Sequence, residues 1–149
     1  MFDGVEVNLR ALVPPDLGVL RLKAHRYGIK VWFDTASPPK EHYEAQVVGP
    51  RHVPEATTLA LEIGFHSEHP KPAENAAVLA HLVAAEKRWR KEIGQEAFCG
   101  SFLGTRDDWT RISETWPDPD LSESDLAFEV AARLTDYITA LEPLRRARS

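Results

Sequence analysis

The chain has 149 residues, of which 43% are hydrophobic and 28% charged, with a net charge of −5 and a single cysteine. This length suits one domain with a full core, and one cysteine excludes internal disulfides and zinc motifs that need several cysteines. No apolar run approaches the roughly 18 residues of a membrane span, and the first ten residues carry no export signal. We therefore expect a cytoplasmic protein that does not associate with membranes.

The negative charge is concentrated near the end of the chain. Residues 95–149 hold eleven acidic and six basic residues. A field of that sign repels phosphate backbones, so the composition argues against a nucleic-acid partner. The basic residues of 144–149 are too few to reverse this, and we expect this tail to be frayed.

The first two elements are read from short periodic segments. Residues 5–11 alternate apolar and polar side chains, which predicts a strand. Residues 16–27 carry apolar side chains at helical spacing, with Gly28 where a helix would be capped, and this favours a helix. Residues 20–24 also alternate, so a hairpin strand is the alternative for this segment.

The rest of the chain gives clearer patterns. Alternation predicts strands at 29–34, 43–47, 58–65, 97–103 and 109–116, with a turn at 104–108. Long amphipathic helices are predicted from Glu74 to Ile93, where Gly94 follows, and from Ser122 to Pro143. We place Leu82 and Leu134 on the buried stripes of these two helices.

The element order is therefore β-α-βββ-α-ββ-α over a single domain, residues 1–149. Strands that follow one another through short turns favour a mainly antiparallel sheet, here of five to six strands. The two long helices have apolar stripes suited to packing on one face of it. The sequence thus predicts an α+β fold.

The opposite face of this sheet is the first candidate for function. It would carry Trp32, Glu44, Gln46, Glu62 and His66, whose parity along the strands is opposite to that of the apolar residues. If the helices leave this face free, its tryptophan and hydrogen-bonding groups suit a protein partner better than bulk water. A symmetric homodimer that buries this face is the simplest version.

A dense group of potential metal ligands follows the strand 58–65: His66, Glu68 and His69. Imidazole and carboxylate groups are suitable ligands for zinc, iron or manganese. Further groups of these types would lie on neighbouring strands at His42, Glu44 and Glu62. Because these residues follow no fixed spacing, the sequence predicts no cofactor, and His66, Glu68 and His69 are metal-ligand candidates only.

The element order also resembles two known layouts. An α-βββ-αβ order resembles the core of metal-dependent nucleases of the restriction-endonuclease type, which implies acidic metal ligands at Asp34, Glu44 and Glu62. The triplets Glu44-Ala45-Gln46 and Glu62-Ile63-Gly64 lack the lysine that completes that family's motif. Over residues 16–142 the order is also similar to secretion-chaperone-like domains, which bind protein segments without catalysis.

Three functions follow from these patterns. The leading one is a protein-binding or self-associating module of the adaptor or chaperone-like kind, without enzymatic activity. The alternative is a divalent-metal-dependent hydrolase or nuclease-like enzyme that uses the histidine and glutamate residues. The second alternative is a small-ligand site between the sheet and the helices.

Overall fold

The computed structural model describes residues 1–104 and 108–148, and over these residues the strands form one antiparallel sheet in the order β1-β2-β3-β4-β6-β5. The strands are β1 (Leu20–His25), β2 (Gly28–Phe33), β3 (Glu41–Val48), β4 (Ala60–Ser67), β5 (Phe98–Ser101) and β6 (Thr110–Pro117). With helices before, between and after these strands, the fold is α+β, as predicted.

The helices are α1 (Phe2–Leu12), α2 (Pro72–Val83), α3 (Glu86–Ile93) and α4 (Leu126–Arg146). Helix α4 lies over β3 and β4, α1 over β1 and β2, and α2 over β4 to β6, while α3 packs on α4. Together they cover the sheet face that carries Tyr43, Ile63 and Phe65. None of the helices described has the length and apolar character needed to cross a membrane.

The first two predicted elements are corrected by the structure. Residues 5–11 belong to helix α1, because the residues that reach the core are Phe2, Val5 and Leu9, at helical spacing. Val7, on which the alternating pattern depended, is 68% exposed. The segment 16–27 contains strand β1, so its alternation was the informative pattern and its helical spacing was coincidental. The resemblance to an α-βββ-αβ order is lost with this change.

The long helix predicted for 74–93 is two helices, α2 and α3. At the junction the Leu82 carbonyl accepts a hydrogen bond from the Ala85 amide, three residues on, at 3.0 Å. The Trp89 indole nitrogen donates to the same carbonyl at 2.8 Å. These two donors satisfy the carbonyl without the regular helical partner, so the axis can change direction here.

Helix α4 continues beyond its predicted end. Pro143 lies inside it, and the helix runs on to Arg146. Arg145 and Arg146 hydrogen bond to Glu142 in the preceding turn, so residues 144–146 are part of a packed helix rather than of a frayed tail. The predicted turn at 104–108 and the last residue of the tail fall partly outside the described residues.

The core lies between the sheet and the helices. Leu82 and Leu134 are fully buried there, which confirms their prediction as core residues, and Trp89 lies beside them, also buried. The register sends the intervening strand residues to the other face of the sheet, where His42 lies opposite His66 and Gln46 opposite Glu62. This second face, which we call the polar face, carries the candidate site.

Candidate metal centre

The five residues predicted to share the polar face do share it. Glu62 pairs with Gln46, and Gly64, the next residue on that face, pairs with Glu44. Trp32 is 5% exposed, and Glu44, Glu62 and His66 are also buried, while Gln46 is partly buried. The expectation of an open, solvated face is therefore corrected: most of these side chains are covered by the chain itself.

Two segments explain the burial. The Phe102 ring stands edge-on to the His66 ring at 4.7 Å between centroids, and Trp109 packs against Phe102 at 5.4 Å. On the same face, at strand β2, the Trp32 ring is held by a hydrogen bond that its indole nitrogen donates to the Thr35 carbonyl at 2.7 Å. The polar face is thus an interior with aromatic cover.

Four side chains converge in this interior, and we call His42, Glu44, His66 and Glu68 the His–Glu cluster. One nitrogen or oxygen atom from each lies within 4.8 Å of the corresponding atoms of the others. His42 Nε2 is 3.2 Å from Glu44 Oε1 and 3.5 Å from Glu68 Oε2. His66 Nδ1 is 3.4 Å from Glu44 Oε1 and 3.5 Å from Glu68 Oε2.

These separations match the edges of a coordination shell. Four ligand atoms held tetrahedrally at about 2.0–2.1 Å from an ion lie roughly 3.3–3.4 Å apart. The four histidine-to-glutamate separations in the cluster span 3.2–3.5 Å. They are longer than strong charge-assisted hydrogen bonds, which are about 2.7–2.9 Å.

In each histidine of the cluster, one ring nitrogen is bonded outside the cluster, so the other nitrogen faces the centre of the cluster. His66 Nε2 lies 2.7 Å from Glu62 Oε2, and His42 Nδ1 lies 2.9 Å from the Pro39 carbonyl oxygen. An ionised carboxylate and a carbonyl can only accept, so both nitrogens donate a proton outward. His42 Nε2 also hydrogen bonds to Glu44 Oε1, at 3.2 Å, in the metal-free protein. If an ion displaced the inner protons, each neutral imidazole would direct its lone pair into the cluster, from Nε2 of His42 and from Nδ1 of His66.

The inner nitrogen of His66 is unusual. The ring is 0% exposed, and Nδ1 makes no hydrogen bond with any described part of the chain. Buried polar atoms nearly always have a partner, and one without a partner calls for an explanation such as an ion. Nδ1 points at Glu44 and Glu68 across the gap that a metal ion would fill.

The protons of the metal-free protein follow the same geometry. Burial alone would lower the pKa of His66, but the carboxylates of Glu62, Glu44 and Glu68 outweigh it and raise the pKa well above its usual value. The pKa of His42 is likewise raised by Glu44 and Glu68 against the effect of burial. The cluster therefore attracts positive charge, which protons supply when no metal does.

The carboxylates shift in the opposite direction. Burial would raise the pKa of Glu44, yet the hydrogen bond from His42 and the nearby ring of His66 hold it at about 2. The pKa of Glu68 is lowered by the same two histidines, again against the effect of burial. Both groups are ionised at neutral pH, as metal ligands must be.

Glu68 is fixed by its surroundings, although it lies just beyond the end of β4. Its backbone amide donates to the Lys40 carbonyl at 2.9 Å. The buried Asn75 side chain binds the adjoining segment, since it accepts from the His69 amide and donates to the His69 carbonyl. With 14% of its side chain exposed, Glu68 is the most accessible cluster member.

Not every predicted ligand joins the cluster. His69 is turned away and contacts Glu41 at 2.6 Å and Glu74 at 3.1 Å instead. Asp34 hydrogen bonds to the Val19 amide and is not part of the cluster, so it does not act with Glu44 and Glu62 as a nuclease triad would require. The structure brings together His66 and Glu68 from the candidate list with His42 and Glu44, which the sequence had placed on neighbouring strands as further ligand-type groups.

The sequence contained part of the signal for the added pair. His42 and Glu44 have the same parity on β3, opposite to Tyr43, so they must share a face. The strand pairing that puts them beside His66 depends on the length of the loop after Val48, which no pattern reveals. Asn75, inside a helix, gave no signal of its role in holding the segment after β4.

A cavity of about 320 Å³ adjoins the polar face beside β6, lined by residues that include Phe98, Arg111 and Ser113. The Arg111 guanidinium stacks on the Phe98 ring at 4.4 Å and donates to Ser113 Oγ at 2.8 Å. Arg111 is also the strand neighbour of His66. This charge is therefore held against the sheet beside the His–Glu cluster.

Comparison with known protein families, with curated proteins and with solved structures finds no match for this chain.

Proposed function

We propose that the chain is a divalent-metal-binding protein whose His–Glu cluster holds one transition-metal ion. The observation that carries this proposal is the buried, unpartnered Nδ1 of His66, which points at two ionised carboxylates at 3.4 and 3.5 Å. Two imidazoles and two carboxylates form a ligand set that suits zinc, Fe(II) or Mn(II).

The charge of the site favours a divalent ion. Glu44, Glu62 and Glu68 bring three negative charges to it. Two cations lie on the neighbouring strands: the buried Arg111 opposite His66 on β6, and the partly exposed Lys30 opposite Glu44 on β2. With both imidazoles neutral, the carboxylates outnumber these cations, and unpaired negative charge is costly in a buried place. A divalent ion would neutralise it and release the histidine protons.

This proposal uses the same histidine and glutamate residues as the metal-dependent hydrolase inferred from the sequence. Four protein ligands at tetrahedral spacing complete the shell of a structural zinc site, so hydrolysis would need an ion that takes water as a further ligand and activates it as a Lewis acid. Glu68, the most exposed cluster member, lies on the side from which water would enter. Self-association through the surface of Trp32, Glu44, Gln46, Glu62 and His66 stays a prediction, and only Gln46 among them is not buried.

The test is metal binding by the purified chain after dialysis against a chelator. We expect calorimetric titration with zinc or Mn(II) to give about one ion per chain, as a single four-ligand site requires. Elemental analysis after gel filtration should return the same stoichiometry. The variants His42→Gln and Glu68→Gln, which each remove one ligand and keep most of the side-chain volume, should lose this binding.

Two control variants separate the site from adventitious histidine binding. His69→Ala removes the neighbouring histidine outside the cluster, and His25→Ala removes an exposed one. Both should bind metal as the wild type does. A wild type that binds no ion, or a Glu68→Gln variant that binds as tightly as the wild type, would overturn the proposal.

A further inference from the structure

Glu62 is a buried carboxylate that belongs to the polar face but not to the His–Glu cluster. It is 0% exposed, and its two oxygens lie 2.7 and 2.9 Å from Nε2 of His66. Gln46 donates a further hydrogen bond to Glu62 Oε1 at 3.0 Å. Every one of these contacts lies on the side of His66 that faces away from the cluster.

The contact requires an unusual local arrangement. Residues four apart on an extended strand are about 13 Å apart along the chain, so their side chains do not normally meet. Here Glu62 and His66 lean toward each other across Gly64, which has no side chain. A Cβ at Gly64 would stand 2.3 Å from the Ile112 carbonyl oxygen and 2.5 Å from Ser113 Cα. The glycine thus allows β6 to approach and leaves room for the contact.

The two histidines of the cluster are supported differently. His42 donates its outer proton to the neutral Pro39 carbonyl, whereas His66 donates to an ionised carboxylate. A carboxylate behind a ligating imidazole fixes the tautomer and raises the basicity of the nitrogen that binds metal. His66 is therefore the stronger donor of the two.

We propose that Glu62 is the positioning residue of the metal centre, which commits His66 to bind through Nδ1 and strengthens it as a ligand. This inference rests on the proposed metal-binding function. It assigns to Glu62 no contact with the ion, and its effect is exerted entirely through the ring of His66. The metal affinity and the ligand field at the ion should both depend on this carboxylate.

The experiment compares wild type, Glu62→Gln and Glu62→Leu with Glu114→Gln as a matched control. Glu114 is also a buried carboxylate, on the neighbouring strand β6, but it faces the helices and binds Arg133 and Tyr137. Zinc affinity is measured by competition with a chromophoric chelator. Glu62→Gln, which keeps shape and loses charge, should bind about 10–100-fold more weakly. Glu62→Leu should bind more weakly still, and Glu114→Gln should match the wild type.

A spectroscopic measurement distinguishes this role from mere structural support. The visible absorption of the Co(II) form should shift in Glu62→Gln, because the donor strength of His66 changes, and stay constant in Glu114→Gln. In the zinc-loaded wild type, nitrogen NMR should find the proton of His66 on Nε2, a test that needs no variant. Equal affinity and equal Co(II) spectra for wild type and Glu62→Gln, or a proton on Nδ1, would refute the role of Glu62 while metal binding stands. A wild type without metal binding would instead refute the proposed function.

Discussion

Two groups of charged side chains lie on opposite faces of the same sheet, and their charges are paired in different ways. On the helix side, Glu142 accepts hydrogen bonds from Arg145 at 2.8 and 2.9 Å, from Arg146 at 2.8 Å and from the Tyr43 hydroxyl at 3.0 Å. We call these four residues the Glu142 cluster. On the polar face, the His–Glu cluster has four histidine-to-glutamate separations of 3.2–3.5 Å, and His66 Nδ1 makes no hydrogen bond with the described residues.

The difference distinguishes a structural ion-pair network from the proposed metal site. The Glu142 cluster contains its own cations, which come from the next turn of α4, so its carboxylate is satisfied within the protein. The His–Glu cluster has more carboxylates than fixed cations, and its histidines become cationic only by taking up protons. Under the proposed function, an ion from solution would complete a buried group of that composition.

The largest expected effect is on the Glu142 cluster. Glu142→Ala removes the acceptor shared by two arginines and leaves the buried Tyr43 hydroxyl without its partner. Breaking a buried pair in this way costs about 3–5 kcal/mol. We expect that loss of unfolding free energy in urea denaturation, and we expect it to be the same with and without added metal. A loss that metal reverses would mean that the two clusters are coupled.

Metal should stabilise the protein through the His–Glu cluster alone. A ligand that binds only the folded state at a free concentration 100 times its dissociation constant adds about 2.7 kcal/mol. We expect zinc to raise the urea midpoint of the wild type and of Glu142→Ala by similar amounts. His42→Gln should show no such shift, and a shift of wild-type size in that variant would place the ion elsewhere.

Gly64→Ala should damage the polar face specifically. The added Cβ would meet backbone atoms of Ile112 and Ser113, which cannot move as a side-chain end could. Overpacking of this kind costs about 1–3 kcal/mol, and we expect it in thermal unfolding of the metal-free protein. The variant should also bind zinc more weakly, because the Glu62–His66 contact spans this residue. Unchanged stability would show that β4 and β6 separate easily here.

How much of this was predictable differs between the two faces. The parity of β3 and β4 correctly predicted the polar face, because side chains alternate strictly along a strand. Whether that face was covered depended on Phe102, which packs on His66 from a distant segment, and on Trp109, which packs on Phe102. The first helix was missed because seven residues are too few to separate a period of two from one of 3.6. Two members of the His–Glu cluster, His66 and Glu68, were metal-ligand candidates from the sequence. The position of His42 opposite His66 is set by the register of β3 and β4, which the sequence pattern does not give.

The smallest expected effect is the dependence of stability on pH, at most about 1.4 kcal/mol per pH unit for one proton. The arginines lower the pKa of Glu142 below its ordinary 4.5 against the effect of burial. Its contribution is therefore present above about that pH and is lost as the pH falls through the lowered value. The pKa of His66 is raised above 6.5, so its contribution is present below that pH and lost as the pH rises through the raised value.

The stabilising contribution of the Glu142 cluster is thus lost on the acid side of neutrality, and that of the His–Glu cluster on the alkaline side. Urea denaturation of the metal-free protein should show a free energy of unfolding that falls on the alkaline side. This fall comes from His66, and we expect it to be the same in wild type and in Glu142→Gln. Added zinc should remove that decline, because the ion replaces the histidine protons. A metal-free protein whose stability is level from pH 6 to pH 9 would contradict the raised pKa of His66. Glu142→Gln should flatten the acid side only.

The position of His42 and His66 within the β3–β4 hairpin has a consequence for folding. The loop that joins the two strands leaves from Val48 and returns at Ala60, whereas His42 and His66 face each other at the opposite, open end. An ion bound there would hold together strand ends that can otherwise fray. It would link β3 to β4 and the residue that follows β4, at the end of the central hairpin away from its connecting loop, through ligands that come in two pairs from segments distant in sequence.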